Sequence, residues 1–280
     1  IPVIVSVHVN ISAGNTVTET FSIGTSATAT MPSGWKVDKN TTARSLGTYS
    51  AAVSATEQRA GNSMSSTASN GFYNFASGDP TTATDRAVGG LSSGTASKSV
   101  NVYVQLYNNG ANQISDFTIS YNVEKYRMGT NTAGFSIQMY YSTDGSSWTS
   151  AGSNFLTSFA GGDASNSGYA IAPEATVSIS SKNLAQALNA GSSLYLAWNY
   201  SVTSGTTTSN AKALGIDDIS ITANSSAIPS LSVTSPSDFG AQCTGGTYGP
   251  NSFTITGSNL TTANVTVAAL SGFTYSTTSG

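Results

Sequence analysis

One cysteine and one histidine occur in 280 residues. That scarcity excludes an internal disulfide, a zinc site built from Cys and His, and a serine or cysteine triad using a histidine base. Charge is nearly as scarce: 10 Lys plus Arg and 13 Asp plus Glu make 8% of the chain, where about 25% is usual in a soluble domain. Ten scattered basic residues against a net charge of −3 leave no cationic surface for phosphates, so nucleic acid is excluded as a partner. Nor does any apolar run approach the ~18 residues of a bilayer-crossing helix, and mean hydropathy is only −0.06. No membrane-spanning segment is expected.

What is present argues for folding. Hydrophobic residues make up 38%, with 13 Tyr, 10 Phe and 3 Trp, enough buriable surface to offset chain entropy despite 28 Gly. Serine and threonine number 86, so hydroxyls rather than Lys and Glu keep the surface wet. Such a surface points to an extracellular or cell-surface location. Cys243 has no basic neighbour in sequence and is expected to be a small packed side chain rather than a reactive thiol.

Period-two alternation dominates the pattern. Residues 1–11 place Ile1, Val3, Val5, Val7, Val9 and Ile11 on one face and leave His8 on the wetter one. Further strands are expected at Val100 to Leu106, Phe117 to Val123, Phe135 to Tyr141, Ala175 to Ile179, Leu194 to Tyr200 and Ile219 to Ile221. Turn chemistry separates them at Asn108-Asn109-Gly110, Asp144-Gly145 and Asn189-Ala190-Gly191. A single helical signal covers 181–188, with Ser181 as N-cap, Leu184 and Leu188 four apart and Gly191 beyond. Many antiparallel strands with almost no helix imply an all-β fold, a jelly-roll-like antiparallel β-sandwich.

The sandwich is assigned to 1–224, with a linker at 225–229. A fresh alternation, Leu231 and Val233, then Phe253 and Ile255, Val265 and Val267, and Phe273 and Tyr275, gives about four strands in 230–280. An immunoglobulin-like sandwich has about seven, so 230–280 is expected to be the start of a partial, truncated one. Residues 44–97 are long, polar and glycine-punctuated, and are expected to form large rim loops suited to binding.

Several segments together carry a family resemblance: Tyr73-Asn74-Phe75, Asp85-Arg86-Ala87-Val88-Gly89-Gly90-Leu91, Ile119 to Arg127, Tyr141 to Gly145 and Gly215-Ile216-Asp217-Asp218-Ile219-Ser220-Ile221-Thr222. Over roughly 17–223 the chain resembles the jelly-roll modules of secreted Bacteroidetes proteins, which occur beside nucleases, lectin-like domains and adhesive repeats. Ser252 to Leu260 and Ser271 to Gly280 resemble the immunoglobulin-like repeats of large exported surface proteins of that phylum, including attachment adhesins. The resemblance implies export by the type IX route and further domains in a longer chain.

Candidate sites follow from the few charges. Ile216 lies three residues before Ile219, so strict alternation fails and a bulge or an inward carboxylate must intervene at Asp217 or Asp218. Those two carboxylates, with loop carbonyls, are candidate Ca²⁺ ligands; otherwise one of them caps a turn or pairs with Arg. Asp85, Arg86, Glu124, Tyr126 and Arg127 form a second cluster. A bidentate Glu124–Arg86 salt bridge within a sheet face is the favoured structural role. The alternative is a polar floor for a glycan, with Tyr126 and Trp198 as stacking platforms. Hydrolysis needs two carboxylates across a cleft, and Glu57, Glu124 and Glu174 sit in no recognisable catalytic motif. The segment Tyr141 to Trp148 is close to an Asp-box but departs from its spacing, and an ordinary Asp-Gly hairpin explains it.

The sequence thus describes a non-catalytic, exported segment of a larger surface protein, acting in adhesion or in binding an extracellular glycan or surface polymer. A structural stalk spacer and an accessory domain of an exported hydrolase or nuclease are the competing assignments.

Overall fold

The computed structural model describes residues 7–225, 229–236, 238, 240–260 and 264–277. The chain divides into two units, 1–225 and 226–280. In the first, two sheets face each other. One contains β1 (Val9–Ile11), β3 (Trp35–Asn40), β7 (Ser99–Asn108), β9 (Phe135–Ser142), β10 (Thr149–Ser150), β11 (Leu156–Phe159) and β13 (Ser193–Val202). The other contains β2 (Thr16–Glu19), β4 (Gln58–Ala60), β5 (Gly71–Ala76), β6 (Arg86–Leu91), β8 (Ile114–Arg127), β12 (Ala175–Leu184) and β14 (Ala213–Ser225). Its order is β12-β8-β14-β6-β5-β4, with β2 also on β14.

The alternation explains the core. Val100, Val102, Val104 and Leu106 of β7 lie opposite Tyr200, Trp198, Leu196 and Leu194 of β13, and all eight are buried. From the other sheet, Phe117, Ile119, Tyr121 and Val123 of β8 join Ile216, Ile219 and Ile221 of β14. Trp198 stacks on Trp35 at 5.6 Å and meets Tyr121 edge-on at 5.7 Å. It is therefore core and offers no stacking platform to a ligand. The sheets meet closely at Gly90, where a Cβ would lie 2.6 Å from Val100, so only glycine fits there.

Several sequence expectations are corrected. Residues 181–188 form no helix: β12 runs through Leu184 and Ser181 takes φ 48°, because β12 bulges there and pairing with β8 outweighs a short helical pattern. The stretch 44–97 is not one rim connection, since it holds β4, β5 and β6 of the second sheet. His8 is half-buried and its ring lies 4.6 Å from that of Tyr107. The alternating positions 1–6 lie outside the described residues.

In the second unit β15 (Ser230–Val233) pairs antiparallel with β16 (Ile255–Ser258). Val265, Val267, Phe273 and Tyr275 lie outside strands, so two of the four expected strands are seen among the described residues. Cys243 is exposed rather than packed, because none of the described residues of this unit is buried.

Candidate functional site

Alternation on β8 sends Phe117, Ile119, Tyr121 and Val123 inward and leaves Asp116, Thr118, Ser120 and Asn122 on the outer face. The flanking strands continue the pattern. Asn183 and Thr222 lie beside Thr118, Asn224 beside Asp116, Ser220 beside Ser120 and Ser178 beside Asn122. Their side chains form bonded rows across the strands. Asp116 accepts from Asn183 at 2.5 Å and Asn224 at 2.6 Å. Together with Ser115, these bonds hold its carboxyl below the usual range, Asn224 contributing most. Asn122 accepts from Ser178 at 2.7 Å and donates to Asp218 at 2.9 Å.

The expected irregularity at Ile216–Ile219 is present as a bulge. Pairing of β14 with β8 shifts between Asp217 and Ser220, and Asp218 adopts φ 49°. A matching shift on β12 lies between Ile179 and Lys182. Bulges on both neighbours thus bend the sheet around Ser120 to Asn122, a device that re-aims side chains.

Beyond Asn122 the face turns drier and acidic. Glu124 is 8% exposed and accepts from the Tyr126 hydroxyl, with Thr176 at 3.5 Å. Burial raises the Glu124 carboxyl, and burial also pushes the Tyr126 phenol well above its ordinary value, aided by Glu124. Asp217 is 2% exposed and its Oδ1 has no partner. Burial pushes it up to about 8 against the Asp218 backbone N–H, and the charges of Asp218, Glu124 and Asp85 raise it further. Asp85 and Asp218 are exposed.

So the structure brings Glu124, Tyr126, Asp85, Asp217 and Asp218 into one neighbourhood, and Arg86 and Arg127 bond to backbone carbonyls rather than to any of them. The anticipated Glu124–Arg86 pair does not form. Arg86 is fully buried and donates to the carbonyls of Ala83 (2.9 Å) and Pro80 (3.1 Å). Arg127 donates to Ala211 (2.9 Å) and Ser66 (2.6 Å). Tyr126 is 0% exposed, its ring 4.4 Å from Phe75 and 8° from parallel, so it is no stacking platform either. Among the described residues, no group of three or more His, Cys, Asp or Glu is arranged to hold a metal. Of the other glutamates, Glu57 is ion-paired to Lys39 at 2.6 Å and Glu174 is exposed. The Asp144-Gly145 turn is an ordinary hairpin turn in which Asp144 accepts from the backbone of Ser146 and Ser147.

The polar rows were not singled out from sequence. Their signal was available on β8, where Asp116, Thr118, Ser120, Asn122 and Glu124 recur with period two.

No protein-family model matches the chain, and no curated protein matches it. Among solved structures, it is similar to the K1 cleaved adhesin domain of Lys-gingipain from Porphyromonas gingivalis at 16% identity, covering 75% of this chain and 99% of that one, with a TM-score of 0.39. It is also similar to a CBM22-1 xylan-binding domain of Paenibacillus barcinonensis (13% identity, 78% and 99% covered, TM-score 0.30). A third similarity is to the CBM22-1 and GH10 modules of a Clostridium thermocellum xylanase complexed with xylohexaose (14%, 76% and 29%, TM-score 0.29).

Proposed function

We propose that this chain is a non-catalytic, exported β-sandwich that binds an extracellular glycan or surface polymer through the outer face of β12, β8 and β14. One observation carries the proposal: a continuous surface of hydroxyls, amides and carboxylates from Asp116 to Asn122, bent by two bulges and bounded by the Glu124 cluster. Each hydroxyl both donates and accepts, and each carboxylate has spare lone pairs after its internal bonds. Neighbouring strands repeat this chemistry at about 4.8 Å, a spacing commensurate with hydroxyls along a sugar ring. Asn122, fixed from both sides, needs little reordering on binding.

The test is a polysaccharide array probed with the full chain, followed by titration of the best ligand against Asn122→Ala and Asp116→Asn. Saturable binding is expected, weakened at least tenfold in Asn122→Ala with the melting temperature within about 2 °C of the parent. A spacer predicts no ligand. Failure to bind any polysaccharide, with or without calcium, overturns the proposal, as does a folded Asn122→Ala that binds like the parent.

A further inference from the structure

Of the chain's four arginines, Arg59 lines one cavity, and Arg86 and Arg127 bond to backbone carbonyls at its edge. A cavity of about 310 Å³ opens between β4, the start of β5 and the loop over 61–70. Its wall includes Arg59, Asn62, Ser63, Ser65, Tyr73 and Pro80, and Arg59 is its single charged residue. Arg86 stands one hydrogen bond behind Pro80, and Arg127 one hydrogen bond behind the same loop at Ser66.

Their polar contacts are to backbone carbonyls, Arg59 donating to Thr25 at 2.9 Å, and not to carboxylates. Among the described residues the ion pairs are Lys39–Glu57 and Lys212–Asp163, so no arginine is paired with a carboxylate. Arg86 and Arg127 are 0% and 5% exposed, and each keeps a buried guanidinium nitrogen, Nη1 and Nε respectively, without any partner. Burial lowers both, and the charge of Arg59 lowers Arg86 further, so the two guanidiniums repel. The carboxylate whose charge acts on both Arg59 and Arg86 is Asp79, which already accepts from the Thr81 amide and hydroxyl. An uncompensated buried cation is costly, and a planar two-oxygen anion matches the guanidinium fork. The volume suits one sugar ring, at the small end of ligand pockets.

We infer that this cavity is a subsite for an acidic sugar, a uronic acid residue whose carboxylate is held at Arg59 in the positive field of Arg86 and Arg127. The saccharide part rests on the glycan proposal above; the requirement for negative charge does not.

The experiment titrates the full chain with an α-1,4-linked galacturonate trimer and with the galactose trimer of the same linkage. The acidic trimer should bind at least tenfold more tightly at low salt, with the preference shrinking as salt rises. Arg59 is exposed, so Arg59→Gln should fold normally and lose the preference, whereas Arg59→Lys should keep part of it. Ser63→Asp, at an exposed position with φ 55° that Asp tolerates, should repel the acidic trimer alone. Equal affinity for the two trimers overturns the inference, as does an unchanged preference in folded Arg59→Gln and Ser63→Asp. If neutral sugars bind through Asn122 without any acidic preference, this inference fails and the glycan proposal stands. If the acidic trimer binds through Arg59 and Asn122→Ala changes nothing, the subsite stands and the outer-face proposal fails. Binding of neither trimer defeats the inference.

Discussion

Ser181 on β12 and Asp218 on β14 share a left-handed backbone, φ 48° and 49°, on opposite sides of β8. Each marks a bulge, and between them Ser120 pairs with Ser220 of β14, faces the register break on β12, and accepts the Ser181 amide through its hydroxyl at 2.9 Å. Left-handed φ at a residue with a Cβ costs roughly 1 kcal/mol, and the cost is repaid by the local pairing.

Substitution at Ser181 should read out that cost directly. Ser181→Gly is expected to be neutral or to gain about 0.5 kcal/mol, and Ser181→Val to lose about 2 kcal/mol, since a β-branched side chain is poorly accommodated at positive φ. Urea unfolding followed by tryptophan fluorescence checks this, because Trp35, Trp148 and Trp198 all lie in the first unit. Equal stability of the two variants would show that the bulge relaxes freely.

Asp217 sets a pH dependence. Its folded-state value is pushed up to about 8, mainly by burial, whereas in the unfolded chain it titrates near 3.9. The folded state therefore holds a proton that the unfolded state releases. This contribution is fully present below about pH 4, declines as pH rises, and is lost above about 8. Asp217→Asn should flatten that decline and be more stable than the parent at pH 8.5 by about 2 kcal/mol, the scale of an unsatisfied buried polar group. Urea midpoints at pH 5 and 8.5 measure it, and identical slopes in parent and variant would contradict the assignment.

The same carboxyl separates a proton from a cation. Because the described residues contain no cluster of three or more metal-ligating side chains, melting temperatures in EDTA and in millimolar calcium are expected to agree at pH 6.5. A calcium-dependent rise of several degrees that Asp217→Asn abolishes would instead place Ca²⁺ at Asp217 and Asp218.

Lys212 is 1% exposed and its ammonium meets the Asp163 carboxylate. Burial pushes Asp163 up, but hydrogen bonds from Lys212 and the Gly129 amide and the lysine charge outweigh it, so the net shift is downward. A lowered carboxyl stabilises above its unfolded value and loses that contribution as pH falls through the folded one. Asp163→Asn leaves a buried ammonium without a counter-charge and should cost about 3 kcal/mol at pH 7. The deficit should shrink towards pH 3, and a constant deficit in fluorescence-monitored unfolding would rule the ion pair out as its source.

Period two alone determined most of the long strands of the first unit. Hydrophobic alternation placed β7, β8, β9, β13 and β14 because a strand buried on one face must repeat its apolar residues every second position. The failure of alternation at Ile216–Ile219 announced the bulge for the same reason. It did not disclose β5 and β6, where all twelve residues are buried and neither face meets solvent. Nor did it exclude a helix at 181–188, since local propensity is silent about the pairing partner that overrides it.

The sites depended on register across strands far apart in sequence. As isolated charges Glu124 and Arg86 are natural partners, yet β8 turns Glu124 towards Tyr126 and Thr176 while Arg86 finds the carbonyls of Pro80 and Ala83. Charge scarcity made these residues conspicuous from the start. Only the tertiary structure decided that the acids gather at the end of the polar rows and the arginines around the cavity, because the desolvation that singles out a few charges is a property of what packs over them.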